Sequence, residues 1–134
     1  MNLVFDAHAM LALFRGDAPA EKVLAHLRSL ATNASAQGYI STITIGDIYG
    51  AALRKQNERA ATLLLEDLSS FPLRIADADY ETALEAARLR ARHLLTTGDA
   101  YTVALALQKE ATLVAGSPAI LALPLSVGVR IEVV

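Results

Sequence analysis

Three aspartates stand where the sequence changes from an apolar run to a helix-like pattern. They are Asp6 in LVFDAHAMLAL, Asp47 in YISTITIGDIYG and Asp99 in TTGDAYTVALAL. Carboxylate oxygens are the ligands that hard cations such as Mg²⁺ prefer, and a bound ion can activate water or stabilise charge on a phosphate. Each aspartate also fits a helix N-cap, a common role that is worth about 1 kcal/mol. Because the same setting recurs three times, we favour a shared metal site over three unrelated caps.

Short apolar strands alternate with longer amphipathic helices along the chain. The helical runs have apolar residues at every third or fourth position, and the strands are short and almost wholly apolar. This alternation predicts an α/β fold in which a parallel sheet of four to five strands is flanked by helices. A chain of 134 residues without a linker or repeat is expected to form one domain, residues 1–134. We predict strands at residues 2–5, 38–41, 73–76, 112–115 and 129–134.

Ligands of parallel α/β sheets bind beyond the carboxyl ends of the strands. Asp6 follows the first strand directly. We predict that one helix begins at Thr44 as its cap, with Asp47 three residues later, and that another begins at Asp99 and ends near Lys109. If the strands are ordered suitably, all three aspartates face one edge of the sheet.

Two serines occupy similar positions. Ser41 ends the second strand, where it either hydrogen-bonds one of the acids or is only a turn residue. Ser117 follows the fourth strand, where a fourth acid would complete the set, and it precedes Pro118. Since serine followed by proline is a favourable helix start, we interpret Ser117 as an N-cap.

The composition excludes several classes of protein. The chain has no cysteine, which rules out disulfides, zinc-thiolate sites and cysteine nucleophiles. Its three histidines lack the paired spacing of zinc ligands, so we interpret them as surface residues or supports for other ligands. No run reaches the ~18 apolar residues of a membrane span, and the start lacks the features of a signal peptide. We therefore expect a cytoplasmic protein that does not associate with membranes.

Four blocks of the sequence, in order, resemble the PIN domain, especially the toxin half of VapBC-type toxin-antitoxin modules. They are the strand ending in Asp6, the S-x-x-T-x-x-D-I-Y-G block with Asp47, GDAYTVALAL with Asp99, and TLVAGSP with Ser117. The resemblance implies a ribonuclease that uses Mg²⁺ or Mn²⁺ to hydrolyse RNA phosphodiester bonds. It matches Asp6 and Asp99 to metal-binding acids. Asp47 falls where the family usually has glutamate, and Ser117 where it usually has aspartate.

These two departures have physical consequences. Aspartate reaches about 1.5 Å less than glutamate, so Asp47 would bind an ion through water or act as a base. Serine carries no charge, so a second ion would be held more weakly at Ser117. The net charge of −2 argues against a strongly basic surface but allows a local basic groove. Arg15 and Arg54 are candidate RNA contacts, although each is also explained as a solvated helix charge.

The high share of apolar residues, 54%, indicates that part of the surface binds other protein chains. Leu63, Leu64 and Leu65 are consecutive and cannot all face one core, which favours a homodimer. The resemblance implies an antitoxin whose peptide lies across a groove near the acids.

Two other functions also fit strand-end aspartates. One is a PIN-like domain that has lost efficient catalysis and binds RNA or protein. The other is a small α/β phosphatase or receiver domain, which we disfavour because the chain lacks paired acids after its first strand and a lysine at a later strand end.

Overall fold

Five short strands form one all-parallel sheet. The structure is a computed structural model that describes residues 1–134. The sheet order is β3-β2-β1-β4-β5, and each pair of neighbours is parallel. The predicted α/β fold is confirmed, and the predicted strands match to within one residue at each end. The strands are β1 (Asn2–Phe5), β2 (Gln37–Ser41), β3 (Leu73–Ala76), β4 (Thr112–Ala115) and β5 (Arg130–Val133).

Seven helices cover the two faces of this sheet. Side chains alternate between the faces: Leu3 and Phe5 of β1 join one apolar cluster, and Val4 joins the other. Four helices pack on the first cluster and three on the second, so both faces of the sheet are buried. None of the helices is both long enough and apolar enough to cross a bilayer. In chain order they are α1 (Ala7–Arg15), α2 (Ala20–Thr32), α3 (Thr42–Lys55), α4 (Glu58–Ser69), α5 (Tyr80–Arg92), α6 (Thr97–Gln108) and α7 (Pro118–Leu121), followed by a 3-10 helix at Leu125–Val127.

Two helices begin earlier than predicted. The hydroxyl of Ser41 accepts a hydrogen bond from the Ile43 N–H at 3.1 Å and caps α3, so the prediction that Thr44 is the cap was wrong. The hydroxyl of Thr96 accepts from the Asp99 N–H at 3.1 Å and caps α6. In both cases a hydroxyl residue with extended backbone stands upstream and provides the cap first.

The sheet has a switch point between β1 and β4. The chain runs outward from β1 through β2 to β3 and then returns to place β4 on the other side of β1. Helices α1 and α3 follow β1 and β2, and α6 leads into β4, so all three begin at the carboxyl edge of the sheet. Ligands of α/β sheets bind at this kind of crevice. The fold therefore brings Asp6, Asp47 and Asp99 to one edge, as their spacing predicts.

Candidate active site

Asp6 is a fully buried carboxylate at the switch point, with 0% of its surface exposed. Its Oδ1 caps α1 by accepting the Ala9 N–H at 2.7 Å. Its Oδ2 accepts the N–H groups of Gly116 at 3.1 Å and Ser117 at 2.9 Å, both from the loop after β4. Burial raises the pKa of Asp6 above its ordinary 3.8, and the three N–H donors and the nearby His8 partly offset this. We call Asp6, Gly116 and Ser117 the strand junction.

Ser117 links the two acids that the sequence matched to metal binding. Its N–H binds Asp6, and its hydroxyl donates to Asp99 Oδ2 at 2.7 Å. Ser117 stands at the N-cap position of α7, but its side chain makes no capping hydrogen bond. The prediction that it acts as a helix cap was therefore wrong, because its hydroxyl finds a carboxylate of α6 instead. The side chain is buried and lies between Asp6 and Asp99.

Asp47 and Asp99 face each other where α3 meets α6. Asp47 is exposed and lies in the second turn of α3, and Asp99 is half-buried in the first turn of α6. Neither is an N-cap, which corrects the capping interpretation for these two residues. A β-carbon on Gly98 would collide with Asp47 Oδ2, so the Asp47 carboxylate lies against the backbone of α6. We call this contact between α3 and α6 the helix seam. It consists of Thr44 and Asp47 on α3 and of Gly98, Asp99 and Thr102 on α6.

Asp99 and Arg54 have opposite effects on the pKa of Asp47. Desolvation raises the pKa of Asp47 above 3.8, the negative charge of Asp99 raises it further, and Arg54 partly offsets both. Arg54 lies two turns further along α3, and its guanidinium packs over Gly50, where an added β-carbon would be 3.1 Å from Nη1. Arg54 therefore points back along the helix toward Asp47. Ser41, in contrast, caps α3 and has no hydrogen bond to any of the acids.

The sequence matches the model of the PIN domain over residues 3–116. The chain belongs to the PIN-domain family. PIN domains are nucleases that generally use divalent metal ions. No curated protein matches this chain in sequence.

Solved toxin-antitoxin structures share the fold of this PIN domain. A chain of VapBC2 from Rickettsia felis, solved with a DNA fragment from their promoter, has a TM-score of 0.78 at 17% identity, over 99% of this chain and 98% of that chain. A chain of DNA-bound VapBC from Salmonella typhimurium has a TM-score of 0.72 at 18% identity, over 99% and 98%. VapC20 from Mycobacterium tuberculosis, described as a sarcin-ricin loop cleaving toxin, has a TM-score of 0.66 at 19% identity, over 82% and 85%. At these identities the likeness shows the fold alone.

A basic groove lies beside the strand junction of this PIN domain. It has a volume of about 420 Å³ and is lined by His8 and Arg15 of α1, Lys55 of α3, Asp17 and Gly116. His8 and Arg15 are seven residues apart, which places them on one face of α1. Arg15 therefore lies near the loop that holds Asp6, whereas Arg54 lies near Asp47.

The acids of this PIN domain fit a hydrated divalent cation. Their donors are all oxygen, and no ion pair neutralises them, because the one salt bridge in the structure joins Arg88 to Glu85. No three His, Cys, Asp or Glu side chains are placed to hold an ion by themselves. Mg²⁺ usually keeps several waters and uses one or two protein carboxylates, so it does not need such a cage. Oxygens of Asp47 and Asp99 are accessible from solvent, and Asp6 adds its negative charge from the buried side.

Sequence reasoning missed two glycines that shape the site. Gly116 donates its N–H to Asp6, and Gly98 provides the space in which Asp47 lies. The signal for each is its position directly before a site residue, in G-S-P and T-G-D. A glycine placed there indicates that another group approaches the backbone closely.

Proposed function

We propose that this PIN domain is an endoribonuclease that uses Mg²⁺ or Mn²⁺ to hydrolyse RNA phosphodiester bonds, and that it is the toxin of a VapBC-type toxin-antitoxin module. The observation that carries the proposal is the hydrogen-bonded link from Asp6 through Ser117 to Asp99, with Asp47 beside it. Family membership supports a nuclease, and the toxin-antitoxin structures with the same fold support the toxin assignment. Such an enzyme would act on RNA in the cytoplasm.

The proposed roles of the acids follow from their surroundings. Asp99 would hold the cation directly and Asp47 would hold it through a water, while the buried Asp6 would add its negative charge from behind; the bound ion would stabilise charge on the phosphate and lower the pKa of water. Ser117 fixes Asp99 Oδ2 and so orients that carboxylate before substrate arrives. Asp47 is also the candidate base for the water it shares with the cation, because its carboxylate is exposed and its pKa is raised. Ser41 supports the site only by starting α3.

Basic side chains on both sides of the acids are proposed to bind RNA. Arg15, His8 and Lys55 line the basic groove, which can take a phosphate next to the one that is cleaved. Arg54 reaches toward Asp47 and can contact the same RNA molecule there. These contacts supply local attraction for RNA although the net charge is −2.

The test is cleavage of a mixed pool of structured and single-stranded RNA with Mn²⁺ or Mg²⁺. We expect activity that requires metal and falls by about 100-fold or more in Asp99→Asn and Asp47→Asn. Glu21→Gln, at an exposed acid of α2, is the control and is expected to retain full activity. The proposal fails if the wild-type protein is inactive at saturating metal, or if its activity survives both substitutions.

A second function, an RNA- or protein-binding module with little catalysis, is favoured by one observation. Asp6 is fully enclosed, and the neutral Ser117 stands between it and Asp99. In this case the wild-type protein would bind RNA as well as Asp99→Asn does, with no cleavage by either.

We propose an antitoxin as the protein partner, bound in an apolar groove between α1, α3 and α4. The groove holds about 250 Å³, and its lining includes the apolar Leu11, Phe14 and Leu63 and the basic Arg15 and Lys55. It shares Leu11, Arg15 and Lys55 with the basic groove, so a peptide bound in it would extend toward Asp6. We expect Leu63→Glu to abolish inhibition of cleavage by the antitoxin without lowering basal cleavage. Unchanged inhibition would place the antitoxin elsewhere.

A homodimer is the second proposed assembly. Leu63 and Leu65 are 48% and 36% exposed, whereas Leu64 between them is buried. Exposed leucines on one helix offer an apolar surface for a second copy. Light scattering should then give a dimer for the wild-type protein and a monomer for Leu65→Glu. A wild-type monomer at high concentration would contradict the dimer.

A further inference from the structure

Gly98 of α6 lies directly against the carboxylate of Asp47 on α3. An added β-carbon at residue 98 would collide with Asp47 Oδ2 and lie 3.3 Å from its Cγ. Apart from the backbone of α6 and the neighbouring residues, Asp47 is the only residue within 4 Å of that position. Gly98 has no positive φ, so its backbone conformation does not require glycine. The neighbouring Asp47 carboxylate is thus the only structural reason for a glycine here.

The two helices cannot separate easily to admit a larger residue. One turn before Asp47, the buried Thr44 hydroxyl bonds the buried Thr102 hydroxyl at 3.0 Å, and Thr102 lies one turn after Gly98. Separating α3 from α6 would break this bond and leave two buried hydroxyls unpaired. A methyl group at residue 98 would therefore displace the Asp47 side chain and leave the helices in place.

The short reach of Asp47 makes this close approach necessary. An aspartate extends about 1.5 Å less from its helix than a glutamate. Its carboxylate can act together with Asp99 only if the backbone of α3 comes close to the first turn of α6. The absence of a side chain at Gly98 allows that approach.

We propose that Gly98 is a positioning residue, which holds the Asp47 carboxylate beside Asp99 by leaving empty the space that a side chain would fill. This role rests on the proposed function in so far as the two acids serve a cation and its water. It assigns to Gly98 a part in binding divalent metal that involves no contact with the metal.

The first test is a double-mutant cycle in which calorimetric titration measures the affinity of each variant for Mn²⁺. We expect Gly98→Ala to weaken Mn²⁺ binding by about tenfold or more, as loss of a supporting contact does at other metal sites. In the Asp47→Ala background the same substitution should have no further effect, because its target is absent. Equal losses in the two backgrounds would overturn the proposal, since they would show an effect that does not pass through Asp47.

Gly46→Ala is the matched control. Gly46 is a helical glycine directly before Asp47, is exposed, and has nothing within 4 Å of an added β-carbon. The substitution Gly46→Ala brings the same gain in helix propensity as Gly98→Ala, about 1 kcal/mol, but its methyl group does not approach the Asp47 carboxylate. We expect wild-type Mn²⁺ affinity for Gly46→Ala. Matching affinities for Gly98→Ala and Gly46→Ala would also overturn the proposal.

The second test needs no metal. Three-bond NMR couplings report the χ1 rotamer of Asp47, which we expect to be single in the wild-type protein and in Gly46→Ala but changed in Gly98→Ala. An unchanged rotamer in Gly98→Ala would refute the role of Gly98. If the rotamer changes but the wild-type protein neither binds Mn²⁺ nor cleaves RNA, the proposed function fails while the positioning role stands.

Discussion

The strand junction and the helix seam hold their carboxylates in different ways. At the strand junction, Asp6 is buried and accepts three backbone N–H groups from α1 and from the loop after β4. At the helix seam, Asp47 and Asp99 are positioned by side-chain neighbours and by a missing side chain at Gly98. Asp6 is therefore part of the folded backbone network, whereas the seam acids extend from finished helices toward solvent.

This difference separates what the acids contribute to folding from what they contribute to function. A buried carboxylate that accepts several N–H groups keeps those donors paired, so its removal destabilises the fold even though burial disfavours its charge. Two like charges that face each other without a cation destabilise it, and such an arrangement is typical of functional sites. We therefore expect substitutions at Asp6 to act mainly on stability and substitutions at Asp47 to act mainly on activity.

The largest expected effect comes from Asp6→Ala. This change leaves the N–H groups of Ala9, Gly116 and Ser117 without their acceptor in the interior, at roughly 1–3 kcal/mol for each unsatisfied donor. We expect the free energy of unfolding in urea to fall by about 3 kcal/mol or more. Asn57→Ala removes the corresponding cap of α4, where Asn57 accepts only the Ala60 N–H.

The control variant Asn57→Ala should lose about 1 kcal/mol of the free energy of unfolding, the usual effect of a lost N-cap. A similar loss for both variants would remove the distinction between the two regions, because it would show that the bonds to the loop after β4 add nothing.

A smaller effect is expected at the base of the helix seam. The Thr44 and Thr102 hydroxyls are buried and bond each other at 3.0 Å. Thr44→Val or Thr102→Val leaves one hydroxyl unpaired and should each cost about 1–2 kcal/mol. The double variant should cost less than the sum, because no polar group is then left alone. Additive losses in urea unfolding would mean that the hydroxyls do not join the helices.

The sequence predicted the place of Asp6 in the strand junction well, for a physical reason. Asp6 follows a buried strand directly, and both the strand pattern and the end-of-strand position are local properties that can be read from LVFD. The sheet order β3-β2-β1-β4-β5, which brings Ser117 to Asp6, depends on contacts between residues more than a hundred positions apart. No local pattern contains that order.

The helix seam was predicted less well. The acids were identified, but capping was assigned to Thr44 and Asp99, because local rules do not decide between nearby hydroxyl and carboxylate caps. The role of Ser117 in the strand junction was also missed. Serine followed by proline has all the features of a cap, and only the approach of Asp99 from α6 gives the Ser117 hydroxyl a better partner. Tertiary contacts outweighed local preference at these positions.

The smallest expected effect is the pH dependence of stability in metal-free protein. The pKa of Asp47 is raised in the folded state by desolvation and by Asp99, relative to 3.8. A folded carboxyl group with a raised pKa binds protons before its unfolded counterpart, so its destabilising effect is present at neutral pH and is relieved as pH falls through the raised pKa toward 3.8. Asp79, whose pKa is lowered by its hydrogen bonds to Thr82, acts in the opposite direction and only below 3.8.

At pH 7, Asp47→Asn should therefore be more stable than the wild-type protein. The difference in free energy of unfolding should shrink as pH falls toward 4. Because Asp47 is exposed, screening by solvent should keep this difference below about 1 kcal/mol. Urea unfolding of both proteins in EDTA at several pH values measures it. If the difference does not change with pH, desolvation and the charge of Asp99 do not raise the pKa of Asp47 in the folded protein. The helix seam would then lack the charge strain that a divalent cation relieves, and only its geometry would distinguish it from the strand junction.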